Sequence, residues 1–415
     1  MKQHKFLWIV LTLWFITFML PACVNTGGEF AIEPDAGIAS GFHPDGLILP
    51  DVELVYGLTV KDMDVGAFIN KKTGYLSTYQ EQVGERWLSG AQIVEEISLL
   101  YSVNPRILIT LLEMESDWIT AASPAYTGRQ PLHVNPKLNE GLYAQLSWAA
   151  NELNRGFYMH EAGALPGVNL GDGSDFTFSH EMNHATASLY YFFGLYKERA
   201  AWDLAVSPLG FYGQYVRLFG DPWQYSQVAF IPAGFQQLEM QLPFGQGERW
   251  HFTSGPHSAW GDGAAWAALD FSPPGEAWGC YDSPAWVRAV ADGSVIYAEY
   301  GAVLQDLDGD GDPGTGWVVL YMHIATQGRA AVGSILQQGD VIGHPSCEGG
   351  ISSGTHLHLA RRYNGMWIAA DRELPFILSG WRSIGMGVPY EGALMYDDIS
   401  IEASGYVTND NEIEW

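Results

Sequence analysis

Basic residues are scarce in this chain. Twenty Lys and Arg stand against 47 Asp and Glu, giving a formal net charge of -27. No basic surface is available to neutralise phosphates, so nucleic acid is excluded as a partner. Cysteine is scarcer still, with only three residues, too few for a disulfide-dense scaffold. Long apolar runs are confined to the N-terminus. There Phe6 to Leu20 forms a stretch of fifteen residues interrupted only by Thr12 and Thr17. That is short of the ~20 residues a membrane-spanning helix needs.

The same stretch reads as an export signal, residues 1–22, with Lys2 and Lys5 at its positive end. It closes in Leu20-Pro21-Ala22-Cys23, which resembles the lipobox of bacterial lipoproteins. The resemblance implies lipidation of Cys23 and attachment to a membrane through that lipid. Cys280 and Cys347 then remain as an even pair in an oxidising setting, and a disulfide between them is expected.

The length of 415 residues accommodates several domains, and 47% hydrophobic with 13% aromatic content marks the chain as globular. Residues 23–50 are rich in Gly, Pro and Ala and read as a lipidated N-terminus and linker. Residues 51–235 read as a mainly α-helical domain. Apolar positions recur at helical spacing over 91–100, 106–118, 142–155 and 185–196. Residues 236–385 carry short apolar alternations split by turn residues, the pattern of an antiparallel β-sheet domain, with strands over 287–297, 317–323, 335–343 and 355–361. Residues 386–415 read as an acidic, peripheral tail whose Trp415 hints at docking. The fold class is therefore α+β and multidomain.

In the helical half, Tyr101-Ser102-Val103-Asn104-Pro105 leads into a helix ending Glu115-Ser116, and Gly141-Leu142-Tyr143-Ala144-Gln145-Leu146 follows. These segments resemble lysozyme-like lytic transglycosylases, which implies Glu115 as a candidate glycan-site acid. The second segment departs from the family by an extra residue before Gln145. His180-Glu181-Met182-Asn183-His184 is a formal HExxH, a zinc-peptidase pattern when it lies on a helix. Ser179 reads as an N-cap that would leave His180 in the first turn, and no third ligand motif follows.

The β half holds a fuller constellation. Residues two apart on a strand share a face, so His356 and His358 in Gly354-Thr355-His356-Leu357-His358-Leu359 should project together while Leu357 and Leu359 enter a core. Ser254-Gly255-Pro256-His257, the segment ending at Asp270, and Tyr321-Met322-His323 precede it. Over residues 242–381 these motifs resemble the lysostaphin-like zinc endopeptidases, and the thirteen-residue step from His257 to Asp270 is most similar to the β-lytic branch. The resemblance implies Zn²⁺ bound by His257, Asp270 and His358, with His323 and His356 as general base and oxyanion stabiliser in either order. It also implies peptidoglycan as the substrate and partner.

Asp306-Leu307-Asp308-Gly309-Asp310-Gly311-Asp312 copies the first half of a calcium loop, although Trp317 stands where the twelfth-position Glu belongs. It is read as a hairpin loop with the capacity to bind Ca²⁺ through Asp306, Asp308, Asp310 and Asp312. The sequence thus points to an exported zinc metalloendopeptidase that cuts peptide cross-links of the bacterial cell wall. Two rivals are a non-catalytic wall-binding or hydrolase-regulating lipoprotein and a lytic transglycosylase acting through Glu115.

Overall fold

The computed structural model describes residues 41–134, 140–275 and 279–415. The export signal and Cys23 lie outside the described residues. No helix among the described residues is long and apolar enough to cross a membrane.

Among the described residues the N-terminal half has the helices α1 (Val65–Lys72), α2 (Gly90–Tyr101), α3 (Pro105–Ser116), α4 (Leu142–Glu161), α5 (His184–Gly194), α6 (Arg199–Ala205) and α7 (Phe211–Phe219). Local chemistry sets their starts. Ser89 and Gln92 form a reciprocal capping box on α2. Asn104 caps α3 with Pro105 in the first turn, where its missing N–H costs nothing. The long α4 packs against α2 and α5.

Helix α5 begins at His184 and is capped by Asn183, not by Ser179. The Asn183 side chain accepts from Thr186 N and so ends the preceding turn. The supposed linker also ends earlier than its composition suggests. Ile48 and Leu49 are fully buried in the helical core, and Ile48 N donates to Thr186 Oγ1 at 2.9 Å. Two adjacent large aliphatics amid Gly and Pro favour burial over solvent exposure.

The C-terminal half is organised on a nine-stranded antiparallel sheet. Its strands are β1 (Trp250–His257), β2 (Ala268–Ser272), β3 (Gly293–Glu299), β4 (Ala302–Asp306), β5 (Trp317–Met322), β6 (Ile335–Leu336), β7 (Leu357–Tyr363), β8 (Met366–Trp367) and β9 (Glu412–Ile413). The spatial order is β6-β3-β4-β5-β7-β2-β1-β9, with β8 paired to β7. The run 335–343 is not one strand: residues 341–343 pair with Val287–Arg288 in a separate ribbon.

Both faces of this sheet are covered. Val319, Tyr321, Leu357 and Leu359 face a core within the β domain, while Val318, Leu320 and Ala360 join the core of the helical half. The two-residue period of the strands thus sorts alternate side chains between two cores. Polar ties cross the same junction. Arg362 Nη1 donates to Leu99 O at 2.7 Å near the C-terminus of α2, where helix carbonyls lack intrahelical donors. Trp367 N donates to the Tyr158 hydroxyl at 3.0 Å.

The tail is not peripheral. Gly392–Tyr396 and Ile399–Glu402 extend a four-stranded sheet, and β9 pairs with β1 as an edge strand of the main sheet. Trp415 Nε1 donates to Phe244 O at 3.2 Å. Net acidity concealed this, because Leu394, Ile401 and Ile413 supply the burial while the acids face out.

Candidate metal centre

Strand register builds the centre. Asp270 on β2 pairs directly with His358 on β7, so both side chains rise from one face of the sheet. His257 ends β1, where the β1–β2 register shifts twice between Phe252 and His257. Such irregularities bend a strand and re-aim its side chains, and here they bring His257 over Asp270. All three residues are buried.

Asp270 Oδ1 lies 3.2 Å from His257 Nε2 and 3.2 Å from His358 Nδ1, and the two nitrogens are 3.0 Å apart. Ligand atoms on a tetrahedral ion with bonds of about 2.0–2.1 Å should be separated by roughly 3.3 Å. The tautomers decide what these atoms are. His257 Nδ1 is 2.8 Å from Gly255 O, and His358 Nε2 is 3.0 Å from Ala259 O. A carbonyl can only accept, so each of those ring nitrogens carries the proton. Their other nitrogens are then lone pairs, turned toward a carboxylate oxygen that itself has no hydrogen-bond donor. Three such atoms converging in a buried site suit a cation among them. The residues fit a metal ion.

The three groups are strongly coupled electrostatically. Burial works to raise the Asp270 carboxyl, but the imidazoles of His257 and His356 outweigh it and hold it well below the usual carboxylate range. Burial works against charge on His257, and the Asp270 carboxylate overcomes it and raises that imidazole. Burial lowers His358.

His323 and His356 complete the face. His323 follows β5 with a left-handed φ of 67°, a conformation uncommon outside glycine, which turns the chain sharply at the strand end. Its Nδ1–H donates to Glu348 O at 3.0 Å, and burial, then His356 and His358, push the imidazole down to about 4. His356 sits just before β7, donates Nδ1–H to Gly354 O at 2.8 Å, and places Nε2 3.7 Å from Asp270 Oδ2. The two rings are 4.4 Å apart.

Cys280 and Cys347 are joined, with Cα atoms 5.5 Å apart. The bridge ties the loop carrying Glu348 to residues 279–281, which bond to Thr355 beside His356. Reducing it opens a loop of 67 residues. The expected cost is ~2–4 kcal/mol of stability with a loss of turnover, checked by melting and rate measurements with and without reductant.

Tyr390, from the presumed tail, was not singled out by sequence. Its ring stacks on His257 at 4.6 Å, and its backbone exchanges bonds with Gly255 and Pro256. A Cβ at Gly255 would stand 2.6 Å from Gly392 N, so glycine is required for this approach. No local signal marks a residue brought in from so far along the chain.

The other candidates lie apart from this constellation. Glu115 Oε1 is 2.8 Å from Lys197 Nζ and accepts from the Tyr196 hydroxyl at 3.2 Å. Gln145 is buried and holds the loop at Leu132 and Val134. His180 and Glu181 are exposed in a turn, not on a helix, and His184 Nδ1 instead meets His160 Nδ1 at 2.8 Å. Asp306, Asp308 and Asp310 cluster, without Asp312, in a hairpin loop between β4 and β5. That loop is closed by its own amides: Asp306 accepts from Asp308 N and Gly311 N, and Lys61 pairs with Asp310 at 3.1 Å.

Residues 279–370 match the model of Peptidase family M23, which takes in His323, His356 and His358 and begins after His257 and Asp270. Residues 47–232 match the model of the LasA N-terminal domain, over the region where the sequence resembles lytic transglycosylases. Protease LasA of Pseudomonas aeruginosa is 28% identical over 353 residues, covering 78% of this chain and 75% of that protein. The β-lytic metalloendopeptidase of Achromobacter lyticus is 28% identical over 160 residues, 37% of this chain and 40% of that protein. Among solved structures, a deep-sea M23 metalloprotease, pseudoalterin, matches 41% of this chain and 96% of its own at 24% identity and a TM-score of 0.34.

Proposed function

We propose that this chain, whose C-terminal half carries a peptidase domain of family M23, is a zinc-dependent endopeptidase acting on peptide cross-links of cell-wall peptidoglycan. The observation that carries the reading is the convergence of two imidazole lone pairs and an undonated carboxylate oxygen at His257, His358 and Asp270. Two imidazoles and one carboxylate suit zinc and leave a coordination position for water. Bound there, zinc supplies Lewis acidity and a water of lowered pKa.

The chain's own groups handle the protons. His323 is kept neutral by burial, and its Nδ1–H is spent on Glu348 O, so Nε2 is free to take a proton as general base. His356 presents Nε2 on the face of the metal-site residues, placed to stabilise the oxyanion that develops on the scissile carbonyl. The Gly354 carbonyl orients its ring. Tyr390 holds the His257 ring by stacking.

The substrate class rests on the resemblance to lysostaphin-like endopeptidases and on the name of the β-lytic relative. Export follows from the signal-like N-terminus and from a disulfide that persists in an oxidising compartment. Membrane attachment through Cys23 belongs to the same proposal, and lipid labelling that vanishes in Cys23→Ala would test it.

The glycan-cleaving alternative has less support, because the Glu115 side chain is engaged by Lys197 and by the Tyr196 hydroxyl. Glu115→Gln is expected to leave turnover unchanged. Mass spectrometry of digested peptidoglycan tests the whole reading: new free amines are expected, and anhydro-sugars that disappear in Glu115→Gln would overturn it.

A further inference from the structure

We propose that helix α4 of the N-terminal half is a positioning element of the metal centre, acting through Asn151 and Arg155 on the loop that joins β1 to β2. The proposal rests on the reading of His257, Asp270 and His358 as zinc ligands, and it concerns what keeps them in place. The loop spans residues 258–267, between the first two ligands in the chain. It also serves the third, because Ala259 O accepts the Nε2–H of His358. That bond fixes the ring and leaves Nδ1 as the ligand atom, so a shift of the Ala259 carbonyl is a shift of the ligand.

Within the loop, Ala259 N donates to Ala265 O at 3.0 Å, Ala267 N donates to the same carbonyl at 2.7 Å, and the Ser258 hydroxyl reaches Trp260 O and Ala264 O at 3.4 and 3.3 Å. One further bond comes from the β domain, Ala370 N to Trp266 O at 2.8 Å, and the ties to Asp262 and Gly263 come from the helical half. Asn151 Oδ1 accepts from Asp262 N at 3.1 Å and Gly263 N at 3.0 Å, while Asn151 Nδ2 donates to Asp262 Oδ1 at 2.7 Å. Arg155 pairs with the Asp262 carboxylate at 2.5 Å and donates to Asp262 O at 3.2 Å. Arg155 is itself held by Glu152, which accepts from the Tyr191 hydroxyl of α5, so the clamp is anchored in helical packing.

The contact is close enough to dictate residue type. A Cβ at Gly263 would stand 2.0 Å from Asn151 O. Ala259, Ala264, Ala265 and Ala267 are buried in the helical core, small enough to let the loop lie flat against α4. A helix 111 residues away in sequence from the loop therefore sets the carbonyl that orients a metal ligand.

The test measures zinc affinity of the full chain by competition with a chromogenic chelator, and melting temperature with and without zinc. Loss of a partner that orients a metal ligand typically weakens binding 10–100-fold, and one step further out about tenfold is expected for Asn151→Ala. The rise in melting temperature on zinc addition should shrink while the metal-free value stays put, which a merely structural role would not produce. Asp262→Ala, at a side chain 79% exposed and so tolerated by the fold, should show the same weakening. Asp262→Asn, which keeps an acceptor for Asn151, should recover part of it. Arg199→Ala, at an exposed pair with Asp203 elsewhere in the helical half, should bind zinc normally. Wild-type affinity in both Asn151→Ala and Asp262→Ala would overturn the proposal. Failure of the unaltered chain to take up zinc would instead overturn the function on which it rests.

Discussion

Alanine at His356 is expected to leave the bound metal in place while lowering turnover by about 10²–10⁴-fold, the range that a positioned proton-transfer group supplies. The expectation follows from geometry. His356 Nε2 is 3.7 Å from Asp270 Oδ2, outside the set of three converging atoms on His257, Asp270 and His358, and its ring is held by a backbone carbonyl. Its loss removes a stabiliser of the reacting carbonyl and leaves His257, Asp270 and His358 with their partners. Metal analysis alongside kcat and KM checks it. Equal falls in kcat and kcat/KM are expected, because the interaction forms only as charge develops. Loss of metal in this variant would move His356 from chemistry to ligation.

Removing the metal should have the other large effect. Treatment with a strong chelator is expected to reduce hydrolysis to background and to lower the melting temperature, with both restored by stoichiometric zinc. A metal held by His257 Nε2, His358 Nδ1 and Asp270 Oδ1, which lie within 3.2 Å of one another, would tie β1, β2 and β7 together, and its removal releases that tie. Zinc at a hundredfold excess over its dissociation constant contributes about 2.7 kcal/mol to the folded state. Calorimetry of stripped and reloaded protein reads this directly. A chelated protein that keeps full activity would contradict the assignment of zinc to the reaction.

His257, Asp270 and His358, which the structure brings together, were legible in the sequence because they sit in short motifs on strands. In His356-Leu357-His358-Leu359 the apolar residues go to the inner core and His358 to the opposite face, as a two-residue period dictates. The strand itself starts at Leu357, so His356 is aimed by the loop and by its bridge to Ser346, not by strand alternation. Helix existence was legible from apolar spacing, whereas the caps were less so. Ser179 and Asn183 are both good N-caps by type, and only the packing of His184 against His160 and of Asn183 on Leu49 O distinguishes them.

What escaped was long-range. Composition made residues 41–50 look like linker and residues 386–415 like a tail, yet Ile48, Leu394 and Ile413 are buried. Tyr390 and Asn151 reach the metal region only through tertiary contact. The HExxH segment is a formal match only, because its chemistry needs both histidines on one helical face and α5 begins at the second of them.

The central claim is that the strand site, not the HExxH segment, holds the metal. Zinc content after mild dialysis, measured side by side in His358→Ala and His184→Ala, tests it most directly. The account predicts that His358→Ala loses the ion and the activity while His184→Ala keeps both. An empty His184→Ala protein beside a loaded His358→Ala protein would contradict it and place the enzyme in the helical half.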